Sequence, residues 1–185
     1  SPEGLFGALG VLARHGLASE TAAFDPALTA IRMRRASLAS DVKSLTNVIK
    51  KGGLISGLKL AVKGRDIVDA QQFSLHITLE GDSAAEVADR VARAKKLVGN
   101  LGESVEPSIP KMMAANPFAA WNSMVGPQGE RWAPVHALVP HSKAVAVFNA
   151  LQDLFAREAA TMEQHGLFIG TLMSSVGEQV AVIEP

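Results

Sequence analysis

From Phe73 to Glu80 the chain alternates between apolar and polar positions, with Phe73, Leu75, Ile77 and Leu79 set against Ser74, His76, Thr78 and Glu80. A period of two places the apolar set on one face and predicts a half-buried strand. Gly81 ends it, and the pattern turns helical. Ser83, with Glu86 three residues on, has the form of a capping box. Val87, Val91, Ala94 and Val98 then stripe a helix that Asn100 and Gly102 end, and a short edge strand is expected near Glu103 to Glu106. A second apolar strand is predicted over 131–139. It feeds a helix capped by Ser142 that runs to His165, with Val145, Phe148, Leu151, Leu154 and Phe155 inward and Gly166 as its stop. Leu167 to Met173 reads as a strand, Ser174 to Gly177 as a turn, and Gln179 to Ile183 as a last strand.

Ahead of Phe73 the signals are helical. Ser1 suits an N-cap, Pro2 the first helical position and Glu3 the positive end of the helix dipole. Leu5, Phe6, Leu9 and Leu12 form one apolar face, and Gly16 ends the helix. Glycines at 4, 7 and 10 weaken it by about 1 kcal/mol each relative to alanine, and their small size allows close approach to another surface. Residues 17–37 are ambiguous: Asp25-Pro26 marks a turn, and Ile31 to Arg35 fits a short strand or a helix end. Helices are expected near 40–51 and 54–63, broken by Gly52-Gly53. Residues 107–130 carry four prolines and form a weakly patterned connection with one short helix near 109–115.

The order from Phe73 onward is strand, helix, short strand, strand, helix, strand, strand. This predicts an α+β fold: a ferredoxin-like antiparallel sheet with helices on one face, plus N-terminal helices. Residues 1–185 are expected to form a single domain, with 1–72 a helical lead-in and 73–185 the ferredoxin-like core. In that topology His76 and His136 come from neighbouring central strands.

Composition narrows the function classes. Eighteen lysines and arginines balance eighteen aspartates and glutamates, so no net field draws the chain to nucleic acid or an anionic membrane. There is no cysteine, which excludes thiolate zinc and disulfide scaffolds and fits a cytoplasmic setting. No apolar run reaches the roughly 20 residues of a membrane span. The helix-start signal at Ser1 and a strand that reaches Pro185 predict a domain cut from a longer protein.

Candidate chemistry is sparse. The histidines at 15, 76, 136, 141 and 165 lack the spacing of a helical metal site, and no metal is expected. His15 and His165 suit helix ends. His76 and His136 each fit either a hydrogen-bonded structural role or a site. Trp121 and Trp132 suit core anchors as well as stacking platforms. No nucleophile elbow, phosphate loop or dinucleotide fingerprint occurs, and tyrosine is absent. In isolation the chain is expected to be inactive.

Trp132-Ala-Pro-Val135, then a long helix, then Gly166-Leu-Phe-Ile-Gly-Thr171 and Val180-Ala-Val-Ile183 resemble the cap domain of FAD-linked oxidoreductases. The vanillyl-alcohol oxidase and 4-cresol dehydrogenase branch is the most similar. Val139-Pro140-His-Ser142 resembles the related glycolate oxidase and D-lactate dehydrogenase group. The resemblance implies a substrate-binding cap that covers a flavin ring held by the protein's own separate FAD-binding domain. It implies oxidation of a small alcohol, a phenolic alcohol or a 2-hydroxy acid. Some members link the flavin covalently through a cap histidine or tyrosine; Gly129 and Glu130 stand there in this chain, so noncovalent FAD is expected. With the open sheet face toward the flavin, Arg131, Trp132, His136, His76 and Thr78 become the substrate-facing or flavin-facing candidates. The competing expectation is a non-enzymatic ferredoxin-like module that forms a homodimer through its open sheet face.

Overall fold

The computed structural model describes residues 1–35, 72–105, 131 and 133–185. The helices expected near 40–51, 54–63 and 109–115 lie outside the described residues, as does Trp132.

The described residues form a five-stranded antiparallel sheet with three helices packed on one face, an α+β fold with an N-terminal helix. In chain order the elements are α1 (Pro2–Arg14), β1 (Glu20–Phe24), α2 (Pro26–Arg35), β2 (Ser74–Thr78), α3 (Ala84–Val98), β3 (Ala137–Pro140), α4 (His141–Arg157), α5 (Ala159–Gln164), β4 (Leu172–Val176) and β5 (Val180–Glu184). The strand order is β2-β1-β4-β5-β3. β3, α4 and β4 form a split βαβ unit, with β5 inserted between its two parallel strands.

Local signals held where the chemistry is local. Ser1 caps α1 by accepting from the Gly4 amide, and Gly16 leaves the helix at φ 57. Glu86 donates its amide to Ser83 Oγ and returns a carboxylate to the Asp82 amide, which closes the box at the start of α3. Asp25 begins α2 rather than only turning the chain: its Oδ1 accepts from Leu28 N at 2.7 Å, and Pro26 takes the first helical position. Close approach is real at Gly4, where a Cβ would stand 2.7 Å from the carbonyl oxygen of Leu101.

The core lies between the sheet and α1, α3 and α4. Leu5, Phe6 and Leu9 of α1 and Ala144 and Phe148 of α4 bury against Ala23, Met173, Ala181 and Ile183. Leu12 and Leu17 with Ala94 of α3 bury against Leu75, Ile77 and Leu79. Phe148 also takes edge contacts from Phe6 and Phe73.

Several expectations change. The lead-in is not only helical: residues 20–24 form β1, which pairs with β2 on one side and β4 on the other. α1 packs into the same core as the strands. Because β1, β4 and β5 fill the centre, β2 and β3 are the outermost strands among the described residues, and His76 and His136 are not on neighbouring strands. The strand expected over 131–139 shrinks to Ala137–Pro140, with only an isolated bridge at Arg131. Pro134 lacks an amide to donate to a ladder, which accounts for the late start. Leu167–Thr171 is not strand; β4 begins at Leu172 and takes in the Ser174–Val176 segment expected to turn. The turn falls at Gly177, whose φ of 60 suits the left-handed conformation glycine adopts freely. The long helix divides at Glu158 into α4 and α5, and it starts at His141, with Pro140 rather than Ser142 at the N-cap. Residues 103–105 form no strand, and Glu106 lies outside the described residues.

Candidate functional site

Strand alternation assigns every side chain of the sheet to one of two faces. Leu75, Ala23, Met173, Ile183 and Ala137 face the helices; the residues between them face away. On that second face one row crosses the whole sheet: Ser74, Phe24, Leu172, Glu184 and, one residue beyond the last β3–β5 pair, His136. The row places an apolar pair, Phe24 and Leu172, between two hydrogen-bonding ends.

The β3 end holds the sharper chemistry. His136 Nε2 lies 2.9 Å from Glu184 Oε2. The imidazole is half exposed, whereas the Glu184 side chain is only 10% exposed. A carboxylate in that position is costly without a donor, and the His136 N–H supplies one. The pair exists because Val180, Val182 and Glu184 share one face of β5, and His136 reaches the same face from the segment leading into β3.

At the other edge, His76 Nε2 lies 3.2 Å from Ser74 Oγ, and its ring tilts against Phe24 at a centroid distance of 5.0 Å. Four strand spacings separate β2 from β3, so the two histidines stand roughly 19 Å apart. The structure puts both on one face but does not bring them together. Thr78 shares that face, one alternation beyond His76, and is exposed. Arg131 is exposed, five residues ahead of His136. Sequence reasoning missed Glu184 and Phe24. The signal for Glu184 was a lone acid closing an otherwise apolar strand; its partner depends on register that no local pattern carries.

A separate cavity of about 400 Å³ opens at the start of α4, lined by Arg14, His141, Ser142, Glu178 and Gln179. Both ring nitrogens of His141 are buried there without a hydrogen-bond partner, and burial, followed by the nearby Arg14 charge, holds its pKa below the ordinary histidine value. Leu138, Val176, Leu167 and Phe168 are large apolar side chains more than half exposed, and the first two belong to the face that carries the row. Among the described residues no group of three histidine or acidic side chains is placed to hold a metal, and no helix is long and apolar enough to cross a membrane.

Compared with known proteins, the chain matches no family model and no curated protein.

Proposed function

We propose that the chain is the substrate-binding cap of a cytoplasmic FAD-dependent oxidoreductase, with the sheet face opposite the helices closing over a flavin held noncovalently by a separate domain. The observation that carries this reading is the row Ser74, Phe24, Leu172, Glu184 and His136 on a face whose exposed Leu138 and Val176 call for a cover. The donor set suits such a ligand. Phe24 is 6% exposed and backs the row from within, so the half-buried Leu172 with the exposed Leu138 and Val176 offers the apolar contact to a planar ring, while His136 and His76 offer polar groups at its margins. When bound, the flavin supplies the two-electron acceptor for oxidation of a small alcohol, phenolic alcohol or 2-hydroxy acid. The chain's own residues exclude water, orient the substrate hydroxyl and place charge beside it. Arg131 and Trp132 remain candidates for the substrate wall.

The test is the full-length gene product. It is expected to purify yellow with bound FAD, and phenolic alcohols or 2-hydroxy acids are expected to bleach that colour anaerobically. The 185-residue chain alone is expected to retain little FAD. The second reading, a colourless module that dimerises through the same face, draws on the exposure of Leu138 and Val176. A concentration-dependent dimer in sedimentation, with no flavin domain encoded upstream, decides for it.

A further inference from the structure

We propose that the cavity at the start of α4 binds a small tetrahedral oxyanion, a phosphate or sulfate group, between Arg14 and the first turn of that helix. Three elements meet there. The end of α1 brings Arg14, the start of α4 brings His141 and Ser142, and the β4–β5 turn brings Glu178 and Gln179. Pro140 stands at the N-cap of α4, and no side chain caps the first turn. The Gln179 carbonyl takes the His141 amide, whereas the Ser142 and Lys143 amides have no acceptor within the helix. The helix dipole favours negative charge at this end. The first turn nevertheless carries no acid, and holds His141 and Lys143 instead.

The side chains repeat this mismatch. Among the described residues Arg14 has no carboxylate within ion-pair distance, although Glu178 lines the same cavity. Gly10 brings Arg14 and His141 together: a Cβ there would stand 3.4 Å from Arg14 Nη1 and 3.5 Å from His141 Cγ. Both nitrogens of that imidazole are buried and unpartnered. An oxyanion supplies the missing negative charge. Its oxygens accept from the Arg14 guanidinium, the Ser142 hydroxyl and the two first-turn amides. Donors on two different helices suit a tetrahedral group better than a planar carboxylate. A cavity of about 400 Å³ also leaves room beside Pro140 and Val180 for the organic part of a phosphate ester. The charged groups around His141 are Arg14 on α1, Lys143 on α4 and Glu178 in the turn. A dianion bound among them offsets the repulsion from Arg14 and favours the protonated imidazole, so binding tightens as pH falls.

Sulfate stays a dianion through the pH range of histidine and is the first probe. It is titrated into the 185-residue chain at constant ionic strength set with chloride, and the Ser142 and Lys143 amides are expected to shift saturably in ¹H–¹⁵N spectra. Arg14→Gln, at an exposed position, is expected to keep the fold and weaken binding about tenfold or more, as for loss of a charge-assisted hydrogen bond. Glu178→Gln removes the opposing charge and is expected to tighten binding about twofold to fivefold. The parent is expected to bind sulfate several-fold more tightly at about pH 5.5 than at about pH 7.5, a difference that His141→Leu loses. At the higher pH, inorganic phosphate is compared with glycerol 3-phosphate. Tighter binding of the ester assigns the site to an organic phosphate, and equal binding assigns it to the free ion. Amide shifts no larger than chloride produces, or equal affinity in Arg14→Gln, overturn the proposal. Equal affinity at both pH values overturns the coupling to His141.

Discussion

His136 Nε2 and Glu184 Oε2 lie 2.9 Å apart at the sheet edge, and the carboxylate is the far more buried partner. The asymmetry decides what each substitution does. His136→Ala strands a carboxylate that is 10% exposed, which costs about 1–3 kcal/mol for the lost partner. Removing both groups, as in His136→Ala with Glu184→Leu, takes away the stranded charge and is expected to restore part of that loss. Urea unfolding of the two single variants and the double variant measures the coupling. Additive effects would mean that the contact is not made in solution.

Gly170 and Leu28 make a second close relationship. A Cβ on Gly170 would stand 2.5 Å from the Leu28 Cα and 2.6 Å from its nitrogen, so the obstacle is backbone rather than a side chain that can swing aside. Gly170→Ala is therefore expected to push α2 away from the β4 lead-in and to cost about 1–3 kcal/mol, the range for overpacking. Gly102→Ala serves as the control, because no atom lies within 4 Å of its Cβ position. Thermal melts should show a clear drop for the first and almost none for the second.

These two relationships also show where sequence patterns stop. The alternation from Phe73 to Leu79 and the Ser83–Glu86 box lie within a few residues, and both appear in the fold as expected. β1 was hidden because Thr21, Ala22 and Ala23 are small and give no contrast between faces; that strand is defined by β2 and β4 on either side. With β1 between β2 and β4, β2 and β3 lie at opposite ends of the described strand order, which separates His76 from His136. Pro134 was visible in the sequence, and its missing amide shortens the next strand. The Glu184 carboxylate became meaningful only through the register that pairs β3 with β5.

Asp25 tests the local side of the fold. Its Oδ1 accepts from Leu28 N at 2.7 Å, while its carbonyl accepts from Thr29 N and Thr29 Oγ1. Asp25→Ala removes the side-chain acceptor at a residue only 3% exposed and leaves that amide without it. A loss of about 1–2 kcal/mol is expected, the upper part of the N-cap range. Asp25→Asn keeps an oxygen acceptor and should lose less. Equal losses in urea titrations would assign the effect to charge rather than to the cap.

Leu138 separates folding from docking. It lies on the face opposite the helices, on edge strand β3, and is 66% exposed. Leu138→Asp removes few internal contacts, so the melting curve of the 185-residue chain is expected to shift little, within the ±0.5 kcal/mol usual for surface positions. In the full-length flavoprotein the same substitution puts a charge where a second domain is proposed to close, and FAD occupancy after gel filtration is expected to fall. Unchanged occupancy would argue that this edge of the face stays in solvent. In the dimer reading, sedimentation would show the same variant shifting to monomer.

His141 links the cavity at the start of α4 to pH. Burial, and then the Arg14 charge, hold its pKa below the ordinary value of 6.5. The unfolded chain therefore takes up a proton more readily than the folded chain as pH falls through about 6.5. The sign follows: His141 contributes no penalty above that value, and stability declines as pH drops below it toward the depressed folded pKa. The two ring nitrogens also lack hydrogen-bond partners. His141→Leu removes both problems. It is expected to be more stable than the parent by about 1 kcal/mol at neutral pH, and the difference should widen on going from about pH 7.5 to about pH 5.5. Urea unfolding of the two proteins at both pH values gives the comparison directly. Parallel losses with pH would show that His141 titrates alike in the folded and unfolded chains, and that other groups carry the acid sensitivity.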